Sequence, residues 1–131
     1  MPRVPTCLAD LPSNAVRPLG ALSIDTLRGW AQAAQHRFVL APLAGINDKR
    51  ARIAAIGRAF EFPSWFGANL DALYDSLTDL PERAPAPGYV VVLDGLPKRA
   101  ESDETEALLD VFRDAAEEFA NRGLALRVFY R

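Results

Sequence analysis

Tyr89-Val90-Val91-Val92-Leu93 is a continuous apolar run, β-branched at its centre, with no polar residue alternating through it. A strand with one wet face alternates. This pattern instead suits a strand buried on both faces, as in the interior of a parallel sheet. Parallel neighbours require long crossovers, normally helical and right-handed, and the chain supplies them. Phe38-Val39-Leu40-Ala41, ended by Pro42, and Leu124-Ala125-Leu126-Arg127-Val128-Phe129-Tyr130 are expected as two further strands. Asn47 or Asp48 is placed to cap a helix carrying Ile53, Ile56 and Phe60 on one side, which must end before Pro63 because proline disfavours helical geometry at Phe62. Ser102 or Asp103 opens a long helix with Leu108, Val111, Phe112, Ala115 and Phe119 inward, Asp103 and Glu106 forming a capping box and Gly123 acting as the stop. The expected architecture is α/β: a small three-layer α/β/α domain with a three-stranded parallel sheet.

The first 20 residues hold Pro2, Pro5, Pro12 and Pro18 without a repeat, and read as an extended arm ordered only where it docks. Leu27, Trp30, Ala31 and Ala34 then recur at helical spacing after Ser23 or Asp25, predicting a helix over 23–35 that Gly29 weakens.

The segment between Pro63 and the Val-rich strand is chemically the most unusual. Trp65-Phe66-Gly67-Ala68 leads to Asn69, a helix cap, and then to a helix with two unlike faces that is expected to end near Leu80, with Pro81, Pro85, Pro87 and Gly88 in the following loop. Leu70, Leu73 and Leu77 make an apolar stripe, while Asp71, Asp75 and Asp79 make a separate line at i, i+4, i+8. Asp71 suits the positive end of the helix dipole. Asp75 has poor propensity in a helix interior, Asp79 sits near the negative end, and each like-charge pair costs roughly 0.2–0.5 kcal/mol. A helix that carries such costs either has an ordinary solvated face or presents its carboxylates to something positive. Of Trp65, Phe66 and Tyr74, Phe66 is expected to pack inward, and Gly67 to serve a left-handed turn.

At 131 residues, half of them hydrophobic, the chain is long enough for one domain with a real core. Its net charge of −2 is mild but unevenly spread: the acidic helix carries no Lys or Arg, whereas Lys49, Arg50, Arg52 and Arg58 cluster on the preceding one. The acidic helix repels phosphates, so nucleic acid is not its expected partner, and the basic cluster reads as a solvated face. Cys7 is the only cysteine, which excludes an intramolecular disulfide and suggests a reducing compartment. No apolar run approaches membrane-spanning length and no signal-peptide pattern is present; the expected location is the cytoplasm, with no membrane partner. His36, the only histidine, is expected at the surface. One His and one Cys do not supply a transition-metal site or a Cys/His nucleophile, and no phosphate-binding Gly-rich loop is present; neither catalytic residues, metal nor cofactor are expected. An enzyme using two of the Asp carboxylates as an acid/base or Mg²⁺-binding pair is a lower-ranked alternative, because the sequence offers no further partner for either role.

The run Trp65-Phe66-Gly67-Ala68-Asn69-Leu70-Asp71-Ala72-Leu73-Tyr74-Asp75-Ser76-Leu77, with the strand, helix and strand that follow, resembles the barstar family, bacterial intracellular inhibitors of the ribonuclease barnase. The resemblance covers roughly residues 37–131, which it marks as the barstar-like domain, and leaves 1–36 as an N-terminal extension. It implies an antitoxin-like protein with no enzymatic activity, whose acidic loop and helix plug the basic active-site cleft of a secreted or toxin-like ribonuclease in a 1:1 complex. It assigns the central role to Asp75, supported by Asp71, with Trp65 and Tyr74 as stacking aromatics, Thr78 as a contact, and Asp114, preceded by Arg113, on the later helix. Gly67 and Asn69 belong to the same motif, and Asp79 joins the expected contacts as an added charge. Against the family pattern Ala68 replaces a Glu, Tyr74 a Trp and Asp79 a Gly, which shifts the acid along the helix and leaves open a non-nuclease protein partner.

Overall fold

The Val-rich run forms β3 (Gly88–Asp94), buried from Gly88 to Leu93 and flanked by a parallel strand on each side. A computed structural model of the chain describes residues 4–63, 65–97 and 102–131. Along the chain the other elements are β1 (Asn14–Pro18), α1 (Ile24–Ala33), β2 (Arg37–Pro42), α2 (Lys49–Ala59), α3 (Leu70–Arg83), α4 (Ser102–Asn121) and β4 (Ala125–Tyr130), with a 3-10 turn at Leu8–Asp10. The sheet is wholly parallel, in the order β1-β4-β3-β2.

Alternate residues of β3 feed two cores, as the pleat requires. Val91 and Leu93 join Ile56, Leu73, Leu77 and Phe112 under α2, α3 and α4, whereas Val90 and Val92 join Leu8, Leu27, Ala31 and Phe129 under α1 and the 3-10 turn. The three-layer α/β/α reading holds, with one correction. The sheet has four strands rather than three, because part of the Pro-rich arm forms β1 and pairs along β4 from Asn14 opposite Leu126 to Pro18 opposite Tyr130. Proline is tolerated there because β1 is an edge strand.

The caps follow elementary chemistry. Ser23, Asp48 and Asn69 accept hydrogen bonds from the amides of Thr26, Ala51 and Ala72, closing the N-termini of α1, α2 and α3. The cap position of α4 lies outside the described residues; Asp103 sits in its first turn. Gly123 ends it with φ +74°, as expected. A second correction concerns Pro81. It lies inside the last turn of α3 instead of starting the loop, and the ladder resumes beyond it with the Ala84 amide donating to Leu80 O at 2.8 Å.

His36 is not a simple surface residue. Its ring lies on Gly88, where a Cβ would come within 2.4 Å of the imidazole, and its Nδ1 is buried without a hydrogen-bond partner among the described residues. Burial, and then the Arg127 cation, hold its pKa below the ordinary 6.5. The folded state therefore disfavours the imidazolium. As pH falls below 6.5 the unfolded chain gains a proton the folded chain does not, so stability declines until the folded-state pKa is passed. Urea titrations between pH 7.5 and about 5 should show this decline in the wild type, and His36→Gln should remove that part of the slope.

Among the described residues no helix is long and apolar enough to cross a membrane. Cys7 is exposed and unpaired.

Candidate functional site

The acidic segment is held in place by its aromatic residues. After α2 the chain turns back through Glu61 at φ +59°; Phe60 and Phe62 stack with ring centroids 5.1 Å apart, and the Phe66 ring packs on Phe62 at 5.2 Å, tilted by 57°. The Phe66 ring lies on Gly57 of α2, so close that a Cβ there would meet it at 2.7 Å. Phe66 thus points inward, as expected, and anchors the loop to α2. Its neighbour Trp65 points out: it is 74% exposed and carries the Arg83 guanidinium 5.5 Å above its ring.

The left-handed residue of this loop is Ala68, at φ +53°, and not Gly67. An L-residue in that region costs roughly 1–2 kcal/mol. Gly67 has a different job: a Cβ there would lie 3.2 Å from Asn69 Nδ2, so its absence leaves room for the capping amide. Asn69 itself is engaged in that cap, with Oδ1 2.8 Å from the Ala72 amide.

From this cap α3 runs beside α4, and the two helices form the walls of an open groove of about 740 Å³. Leu70, Asp71, Tyr74 and Asp75 line it from α3; Val111, Asp114, Glu117, Glu118 and Asn121 line it from α4. Five carboxylates face the groove and no basic residue lines it. Among the described residues Asp71, Asp75, Asp114 and Glu117 have no ion-pair partner, and Glu118 alone is paired, with Arg122 Nε at 2.7 Å. The same guanidinium donates from Nη1 to Thr78 O at 2.6 Å, linking the two walls at one end. The α4 acids sit in the second half of their helix, where the dipole is unfavourable to them.

Of the residues singled out in the sequence, Asp71, Tyr74, Asp75 and Asp114 come together in the groove, while Trp65, Gly67, Asn69, Thr78 and Asp79 do not line it. Thr78 Oγ1 bonds back to the carbonyls of Tyr74 and Asp75, both at 3.1 Å, and Asp79 is exposed. Glu117 and Glu118 were missed, although they lie three and four residues after Asp114, the spacing that places them one turn further along the same helix face. Asp71 stands on a ridge, since a second concavity on its other side is lined by Lys49, Arg50, Ile53 and Asn69. Lys49 and Arg50 of the basic cluster therefore border the acidic loop, whereas Arg52 is buried and donates to Ile46 O, and Arg58 lines a separate concavity with Leu40, Pro42 and Ile46.

Among the described residues no group of three or more His, Cys, Asp or Glu side chains is placed to hold a metal ion. The groove instead offers acceptor oxygens without donors of matching charge, over an apolar floor of Leu70 and Val111, an arrangement suited to cationic groups. Fold and groove together define the class, a small parallel α/β domain with an acidic concave face between two helices. The chain belongs to the barstar (barnase inhibitor) family, whose model matches residues 35–131. That family consists of inhibitors and not enzymes. No curated protein matches the chain.

Proposed function

We propose that this protein binds and blocks the basic active-site cleft of a barnase-type ribonuclease, secreted or toxin-like, as a 1:1 complex in the bacterial cytoplasm. In this reading residues 37–131 carry the binding face and residues 1–36 form an extension to it. The observation that carries the reading is the set of five groove carboxylates, drawn from two helices and unmatched by any cation in the lining. A ribonuclease cleft must hold RNA phosphates with Arg, Lys and His, and carboxylates on a rigid frame can occupy those positions. Asp75 is the central contact, with Asp71 and Tyr74 beside it, and Asp114 reaches the partner from the opposite wall. Trp65, exposed at the loop tip, adds an amphipathic aromatic at the rim together with Gly67, Asn69, Thr78 and Asp79.

Such a face steers a cationic partner over distances longer than a contact, and salt screens that steering. Stopped-flow association with a barnase-type ribonuclease should slow by about tenfold or more between roughly 0.05 and 0.5 M salt, while dissociation changes far less. An association rate indifferent to salt would contradict the proposal.

A further inference from the structure

The α4 wall of the groove does not rest on α3 alone. It packs across both β4 and β1, so part of its platform comes from the strand that precedes the family-matched residues. Val16 of β1 joins the main core beneath it. The decisive contact is Asn14. Its side-chain amide donates to Ala116 O at 2.9 Å and to Leu124 O at 3.0 Å. Ala116 lies in the turn of α4 between Asp114 and Glu117, and Leu124 lies just past the Gly123 stop. One amide thus pins both the acidic turn and the exit of the helix. Arg122, just past the end of the same helix, ties it to α3 at Thr78, so α4 is held to β1 on one side and to α3 on the other.

We propose that β1 is a positioning element for the acidic groove and that Asn14 is its positioning residue, holding the α4 carboxylates at their working distance from those of α3. Asn14 lines neither wall and need touch no partner. The proposal rests on the ribonuclease-inhibitor reading for its binding consequence, while its structural half stands on the unbound protein.

The test uses the full-length chain with Asn14→Ala and Asn14→Asp, the second of similar shape but without the amide donor. Loss of two hydrogen bonds beneath the wall should lower affinity for a barnase-type ribonuclease about 5- to 30-fold in both variants. In a background already carrying Asp114→Asn and Glu117→Gln, the Asn14→Ala loss should shrink below about twofold, whereas in an Asp71→Asn background it should persist in full. Amide hydrogen exchange of the unbound variants should quicken over 114–121 and stay unchanged over 71–80. Equal losses in both backgrounds, wild-type affinity, or quickening spread evenly over α3 and α4 would each overturn the proposal. If the wild-type chain binds no ribonuclease, the inhibitor reading fails, and the exchange experiment alone decides whether Asn14 holds the α4 wall.

Discussion

Asp75→Ala is expected to weaken binding to a barnase-type ribonuclease at least about a hundredfold, equivalent to about 2.7 kcal/mol, while leaving the free protein equally or slightly more stable. The two effects have opposite signs for a physical reason. In the free protein Asp75 is exposed, has no ion-pair partner among the described residues, and faces Asp71 and Asp79 one turn away on either side. Alanine removes two like-charge repulsions of roughly 0.2–0.5 kcal/mol each and replaces a weak helix former with the best one. In the proposed complex the same carboxylate would be desolvated among cations, and its removal would leave their charges buried and unmatched. Calorimetric titration and thermal unfolding of one variant check both halves. A variant that binds as wild type would move the interface elsewhere; one that loses binding because it unfolds would make Asp75 structural.

Gly95→Ala should cost about 2–6 kcal/mol of stability, combining a forbidden backbone region at about 1–3 with overpacking at about 1–3. Gly95 follows β3 at φ +109°, outside even the left-handed helical region open to Asn and Asp. A Cβ there would lie 2.4 Å from Ala44 N and 2.7 Å from Ala44 Cα. Those are backbone atoms, and they cannot retreat easily. The Leu43 amide beside them donates to Asp94 O at 2.7 Å, and the Gly95 amide donates to Arg131 O at 2.8 Å. Three strand ends meet at this point, so relief at one breaks hydrogen bonds at another. At about 3–5 °C per kcal/mol for a domain of this size, a melting temperature lower by roughly 6–30 °C is expected. A drop under about 3 °C would mean that the turn re-forms freely.

The sequence carried the central sheet and most helices because their signals are local. Tyr89–Leu93 reads as an interior strand from its β-branched run alone, and Ser23, Asp48 and Asn69 each stand one residue before a helix they cap. What escaped depends on distant partners. Asn14-Ala15-Val16-Arg17-Pro18 offers a single strong strand former, and becomes β1 only because β4 presents a free edge to it. Pro81 stays helical because the ladder closes beyond it, through the Ala84 amide on Leu80 O. Glycine was the natural choice for the left-handed turn of the loop. The docking of Phe66 on Gly57 and the Asn69 cap fix the chain on either side, and the positive φ falls on Ala68. The α3 carboxylates were legible from i, i+4 spacing and Asp114 from the family resemblance, whereas the part played by Glu117 and Glu118 depends on how one helix is phased against another across the groove. His36 looked like a surface residue since nothing near it in sequence reveals that Gly88 makes room for its ring.

The central claim is that the acidic groove occludes a ribonuclease active site, and the most direct measurement is RNA cleavage by a barnase-type ribonuclease titrated with the wild-type chain. Cleavage should fall linearly to zero at one equivalent when both proteins are well above the dissociation constant, and inhibition should be competitive with RNA when they are dilute. Full cleavage at excess inhibitor, or tight binding that leaves cleavage intact, would contradict the account.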